Sequence, residues 1–414
     1  MDRPRLVLDP TGRAREAETA ELCARGPATP VDILGVEAWA VADPLLLEEL
    51  LRDPRVSKDG HLHWPAFDEV VPKWPLALWV DARNMFTAHG ADHRRLRRLV
   101  GGAFTPRQID ALAGRVGALA DALLDGIAAT PPGVTVDLRE RLAYPLPIRV
   151  IGHLMGLPAY LEERFRQHVD RVFDTTLTPQ ESAANAAAFY AMLDDLISAK
   201  RERPGDDLTS RLIAARDTEG DGSAAAALTE QELRDTLLLV VSAGYETTVN
   251  LIDNGIALLL SHPEQLALVR AGEVPWSEVV EEALRRDAPV AHLPLRYAVE
   301  DIRLSAEVTI RRGEAILAAY AAAGRHPCRF GATGAEFDVT RPVKEHLAFG
   351  HGPHFCLGAP LARLEAETAL SRLFERFPGL TLAPGAELLP VESLISNGHR
   401  SLPVLLSGPG AAEA

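Results

Sequence analysis

Apolar residues recur at helical spacing over 43–52, 92–100, 106–128, 139–156, 158–173, 181–202, 229–261, 276–286 and 359–376. In each stretch Leu, Val or Ala returns every three or four positions, the stripe that lets a helix bury one face. The shorter period of a half-buried strand is confined to a few patches. Val31–Val41 reads as a hairpin turning near Gly35, a second patch spans about 302–320 with Arg312-Gly313 as its turn, and Ser401–Leu406 is a third. Glu219–Ser223 and the alanines at 224–227 read as a surface loop between helices. The pattern predicts a mainly α (α+β) chain. With no repeat and no long linker it predicts one domain over 1–414, with a β-rich region at about 30–60 and 302–320.

The longest helical stretch opens on Thr229-Glu230-Gln231-Glu232, a capping box, and ends just before Pro263. At about 1.5 Å per residue it reaches roughly 50 Å. Its middle is unusual: Leu237–Val241 gives way to Ser242-Ala243-Gly244-Tyr245-Glu246-Thr247-Thr248. Small residues at 242–244 leave room beside the backbone, and Gly244 weakens the helix by about 1 kcal/mol relative to Ala. Taken alone, this reads as a core helix in which Thr247 bonds back to a carbonyl and Glu246 reaches solvent.

Charge narrows the function. Forty-three basic against 58 acidic residues leave a formal net charge of −15, which disfavours nucleic-acid binding and attraction to anionic lipid. No apolar run reaches the roughly 18 residues of a membrane span, and Met1–Leu6 lacks a signal-peptide core. Cys23, Cys328 and Cys356 are too few for a disulfide framework or a paired zinc motif. The expected location is cytoplasmic.

The chemistry concentrates in Phe349-Gly350-His351-Gly352-Pro353-His354-Phe355-Cys356-Leu357-Gly358. Glycines at 350, 352 and 358 let the backbone turn and let a flat partner approach. Cys356 precedes a helix-forming run with Pro360 in its first turn, where the positive helix end favours a sulfur anion. The pattern F-G-x-G-x-H-x-C-x-G resembles the haem-ligand signature of the cytochrome P450 superfamily, in its soluble bacterial branch. The resemblance covers about residues 30–405 and is strongest over 229–365.

The resemblance implies a single-domain P450 fold with the long helix over haem b (iron protoporphyrin IX). Cys356 would be the metal ligand as thiolate, with Phe349 and His354 beside the cofactor in the same loop. Ala243-Gly244-Tyr245-Glu246-Thr247 resembles the family's A-G-x-[DE]-T segment, where the helix kinks over the haem. By that likeness Ala243 and Gly244 border the haem, Thr247 hydrogen-bonds dioxygen and Glu246 relays protons. His93 and Arg97 fit H-x-x-x-R, and Arg296 fits R-x-A-x-x-D; with His354 they would hold the propionates. Glu282, Arg285 and Arg341 fit the family's structural network, which would hold the cysteine loop in place. Two stretches depart from the family: Ala323-Gly324-Arg325-His326 stands for A-N-R-D, and His89–His93 replaces D-P-P-x-H.

The implied function is a haem-thiolate monooxygenase acting on a hydrophobic small molecule such as a secondary metabolite, steroid or terpenoid. Electrons would come from NAD(P)H through a reductase and a ferredoxin or flavodoxin. That carrier would dock near Arg94, Arg95 and Arg98, and the enzyme would act as a monomer without membrane or nucleic acid. Oxidative coupling, peroxide-driven oxidation and haem sensing are the alternatives. His63–Trp79, Val172–Thr176, Val290–Leu295 and Leu394-Ile395 are the expected roof of the substrate pocket.

Overall fold

Apolar periodicity is realised almost residue for residue in the computed structural model, which describes residues 4–217 and 228–407. The helices Pro44–Arg52, Gly90–Gly101, Pro106–Ala128, Pro179–Glu202, Glu230–Ser261, Trp276–Arg286 and Ala359–Arg376 follow the predicted stretches. The expected loop at 219–227 lies outside the described residues. The stretch 139–156 is divided into a π-helical turn, Arg139–Ala143, and the helix Pro145–Met155. Pro145 has no N–H to continue the ladder, and Tyr144 donates instead to the Arg139 carbonyl at 2.8 Å.

The pattern misses the helices Arg15–Arg25, Leu208–Asp217, Pro263–Arg270 and Tyr320–Arg325. Each is shorter than the roughly 12 residues at which a helix has intrinsic stability, so tertiary packing creates them.

Six strands form the main sheet in the order Leu6–Val7, Ala28–Ile33, Val36–Val41, Ala315–Ala318, Leu293–Ala298 and Val56–Ser57. The predicted hairpin is its centre, turning through Leu34 (φ 53°) and Gly35 (φ 86°), the paired left-handed geometry of a tight hairpin. Leu293–Ala298 escaped prediction because both its faces are buried, which erases the alternation. Two small sheets join Thr381–Leu382, Pro403–Leu405 and Val136–Asp137, and Ile302–Arg303 with Thr309–Ile310.

The helix Glu230–Ser261 is buried on nearly every side, between Pro145–Met155, Trp276–Arg286 and Ala359–Arg376. Small residues set these contacts. A Cβ on Gly244 would stand 2.5 Å from Ile151, and one on Gly255 would stand 3.0 Å from Leu370. This long helix and the loop before Ala359–Arg376 line the two sides of one cavity.

Candidate active site

The loop carrying Cys356 turns through Gly350 (φ 70°) and Gly352 (φ 69°). A Cβ on Gly352 would lie 2.8 Å from the Leu51 carbonyl oxygen, so contact as well as conformation requires glycine there. The Cys356 N–H donates to the Phe349 carbonyl at 2.8 Å and closes the loop on itself. Burial raises the Cys356 thiol pKa. The Gly358 and Ala359 N–H groups, Arg97 and Arg363 oppose that rise by favouring the thiolate. Cys356 lines a cavity of about 280 Å³. Cys23 instead donates to the Ala322 carbonyl at 3.4 Å, and Cys328 is exposed.

Glu281 holds this loop at both ends. It accepts from Arg363 at 2.6 and 2.9 Å and from His346 at 3.3 Å. Arg363 also lies 4.7 Å over the Phe349 ring. Burial opposes the Glu281 charge, but His346 and Arg363 overcome it and bring its pKa down to about 2. Sequence reasoning passed over Glu281 because a carboxylate beside Glu282 reads as surface charge.

The Glu282 network is present but acts elsewhere than expected. Arg285 makes two 2.7 Å bonds to Glu282 and donates to the carbonyls of Gly324, Gly334 and Glu336. Arg341 joins Glu282 at 3.4 Å. These bonds pin the 324–341 segment, whereas Glu281 holds the cysteine loop. The Gly324 departure has a steric reason, since any Cβ there would strike the Arg285 carbonyl oxygen.

Basic residues gather on one side of the cavity. Arg97, Arg296 and His354 line it, and His93 meets His354 with tilted rings, centroids 4.0 Å apart. Arg97 donates to the Phe355 carbonyl at 2.7 Å. His93 Nε2 and Arg296 Nη1 are buried without a partner. Burial, with Arg97 nearby, lowers the His93 pKa to about 4. Lys58, absent from the sequence reading, lines the same cavity at 3% exposure.

Across the cavity, Ala243, Gly244 and Thr247 line the wall. The long helix is unbroken from Glu230 to Ser261, and the Thr247 hydroxyl donates to the Ala243 carbonyl at 2.6 Å. Glu246 is not among the residues lining the cavity; it is buried at 3% exposure rather than reaching solvent. It pairs with Arg139 at 3.3 Å and accepts from Asn250 at 3.1 Å and Ser396 at 3.3 Å. Burial raises the Glu246 pKa against the pull of Arg139.

Two expectations change. Arg95 does not form a free basic patch with Arg94 and Arg98: it pairs with Glu232, the capping-box residue, and with Asp92. Glu232 lies in the first turn of the long helix and draws the arginine across, while Arg94 and Arg98 remain exposed. Within His63–Trp79 only Leu78 and Trp79 line the cavity, and Trp64 stacks on Tyr297 in the core at 5.4 Å. Val172, Phe173, Val290 and Leu293 do line it, whereas Leu394 and Ile395 are not among its lining residues. Phe86 completes an aromatic wall, with Trp79 5.0 Å from Phe173 and 6.1 Å from Phe86, and Met85 adds an apolar side chain beside it.

Residues 276–395 match the family model "Cytochrome P450". Over 98% of this chain and 98% of its own, 2-hydroxy-5-methyl-1-naphthoate 7-hydroxylase of Streptomyces carzinostaticus is 40% identical. The chain belongs to the cytochrome P450 family. Among solved P450 structures, CYP154A1 from Streptomyces coelicolor A3(2) superposes with a TM-score of 0.93 at 60% identity, covering 97% of this chain and 100% of that one. The 6-deoxyerythronolide B hydroxylase of Saccharopolyspora erythraea is 39% identical over 94% of this chain and 95% of its own. The chain is thus a P450 monooxygenase of the bacterial type, and the family implies a haem. Among the described residues no helix is long and apolar enough to cross a membrane.

Proposed function

We propose that this P450 hydroxylates or epoxidises an aromatic or polyketide-type small molecule, holding haem b through the Cys356 thiolate. The observation that carries this reading is that Cys356 and Thr247, from two separate elements, line the same cavity. The residues fit a haem. Arg97 and Arg296 line one side of the cavity beside His93 and His354, with buried donors left unfilled, which suits two propionates. Phe349 and the glycine-bearing loop offer a surface for a flat ring, and Ala243 and Gly244 are small enough to face it.

The bound haem supplies dioxygen activation, tuned by its thiolate. The remaining chemistry belongs to the chain. Thr247 presents a hydroxyl to the cavity and can exchange its Ala243 bond for a bond to a ligand. Glu246, a turn-mate on the adjoining face, stores a proton because burial favours its neutral form, and Arg139 keeps it placed. Trp79, Phe86 and Phe173 give an apolar aromatic wall that orients the substrate. The naphthoate and macrolactone hydroxylases among the relatives support secondary metabolites as substrates.

Electrons come from NAD(P)H through a reductase and a ferredoxin or flavodoxin that meets Arg94, Arg98 and the exposed Phe355 beside the cysteine loop. The enzyme works as one domain, as a monomer and in the cytoplasm. Turnover under ¹⁸O₂ with a surrogate ferredoxin and reductase tests this: one labelled oxygen in the product supports it. A product formed without label contradicts oxygen insertion.

A further inference from the structure

Asp43, His326 and Cys328 meet away from the residues that line the cavity. Asp43 caps the helix Pro44–Arg52: its Oδ1 accepts from the Leu45 and Leu46 N–H groups at 2.8 and 3.1 Å, which leaves Oδ2 outside the cap. His326 stands where the family's A-N-R-D pattern has its acid. It caps the short helix Pro327–Phe330 by accepting from the Cys328 N–H at 3.3 Å. Cys328 is exposed, Asp43 half-buried and His326 buried.

Each of the three offers one ligand atom, and these atoms lie within 4.8 Å of one another. Zinc bonds of about 2.0–2.3 Å in a tetrahedron set the ligands roughly 3.3–3.8 Å apart, so side-chain rotation closes the set. Thiolate, imidazole and carboxylate together suit a borderline cation such as zinc, whereas magnesium and calcium take all-oxygen sets. Burial lowers the His326 pKa, and the neutral imidazole is the form that ligates. The backbone around the set is already held, since Arg329 reaches Glu48 at 2.8 Å and joins the same two segments.

We propose that Asp43, His326 and Cys328 bind one zinc ion, with water as the fourth ligand, and that the metal clips the start of Pro44–Arg52 to the 326–330 turn. As the zinc–sulfur bond forms, the thiol proton leaves to solvent and no electron is transferred. Pro44–Arg52 also borders the cysteine loop, its Leu51 carbonyl lying beside Gly352, so the clip steadies a neighbour of that loop. The site does not depend on the haem reading above.

The test titrates zinc by calorimetry into the purified full-length protein after chelator treatment, beside Cys328→Ser, His326→Gln and Asp43→Asn. The last two keep an acceptor for their helix caps. The wild type should take up one zinc per chain, with one sulfur at about 2.3 Å in zinc-edge X-ray absorption. Each variant should bind at least roughly tenfold more weakly, and in Cys328→Ser the sulfur should vanish. Saturating zinc should raise the wild-type thermal midpoint and leave that of Cys328→Ser unchanged. No uptake by the wild type, a shell without sulfur, or equal affinity in Cys328→Ser overturns the proposal. Cys328 is exposed, so its variant decides the matter if either of the others does not fold.

Discussion

Glu246 and Thr247 are adjacent in sequence yet face different surroundings. Thr247 lines the cavity, while Glu246 is turned into the protein against Arg139, 3.3 Å away. A step of about 100° around the helix separates them. The hydroxyl thereby faces the cavity, and the acid is held away from water.

Glu246→Gln keeps the hydrogen bonds and removes the titratable proton. Turnover should fall about 10²-fold, the usual scale for loss of a general acid, with a larger solvent isotope effect and an unchanged haem spectrum. Normal turnover in this variant would remove Glu246 from proton delivery.

Arg139 also meets Asp253 at 3.3 Å, and both residues are fully buried. Arg139→Met would remove the buried cation that faces both Asp253 and Glu246, leaving Asp253 with His399 and Glu246 with Asn250 and Ser396. The cost of breaking such a buried pair is about 3–5 kcal/mol, read as a lower thermal midpoint. A midpoint within a degree of wild type would contradict the account of this cluster.

The cysteine loop should be acid-labile through Glu281. Its folded pKa, about 2, lies below the unfolded value of about 4.3. Its stabilisation is complete above that unfolded value and disappears as pH falls through 4.3 toward 2. Thermal loss of the thiolate–CO band, followed against pH, should separate wild type from Glu281→Gln at pH 6, narrow the gap below about pH 4.3 and close it only near pH 2. A constant gap across that range would show that the clamp is not ionic.

Gly324→Ala places a methyl group against the Arg285 carbonyl oxygen. Overpacking of this kind costs about 1–3 kcal/mol, and the shift should disturb the Glu282–Arg285 bonds. Differential calorimetry of the haem-loaded protein measures it. One cooperative transition in the wild type is also expected if the chain is a single unit.

Much of this was legible because local and global signals agree. The Thr229–Glu232 capping box forms as read, with both reciprocal bonds present. The Cys356 loop could be read because its glycines and the following helix are fixed by local geometry. Other features depend on long-range packing that no window contains. Glu281, Lys58 and Arg139 sit among ordinary charged residues in sequence, and only the fold buries Lys58 and Arg139 and half-buries Glu281. Trp64 and Trp79 look equivalent in composition, yet one packs in the core and the other lines the cavity. Arg95 reads as part of an arginine patch until Glu232 approaches from a helix far along the chain.

The central claim is that Cys356 is the thiolate ligand of a bound haem. The difference spectrum of the dithionite-reduced protein with carbon monoxide tests it most directly. The account predicts the red-shifted Soret band of a thiolate-ligated haem, lost in Cys356→Ser. A band at the shorter wavelength of histidine ligation, or a red-shifted band that survives in Cys356→Ser, would contradict it.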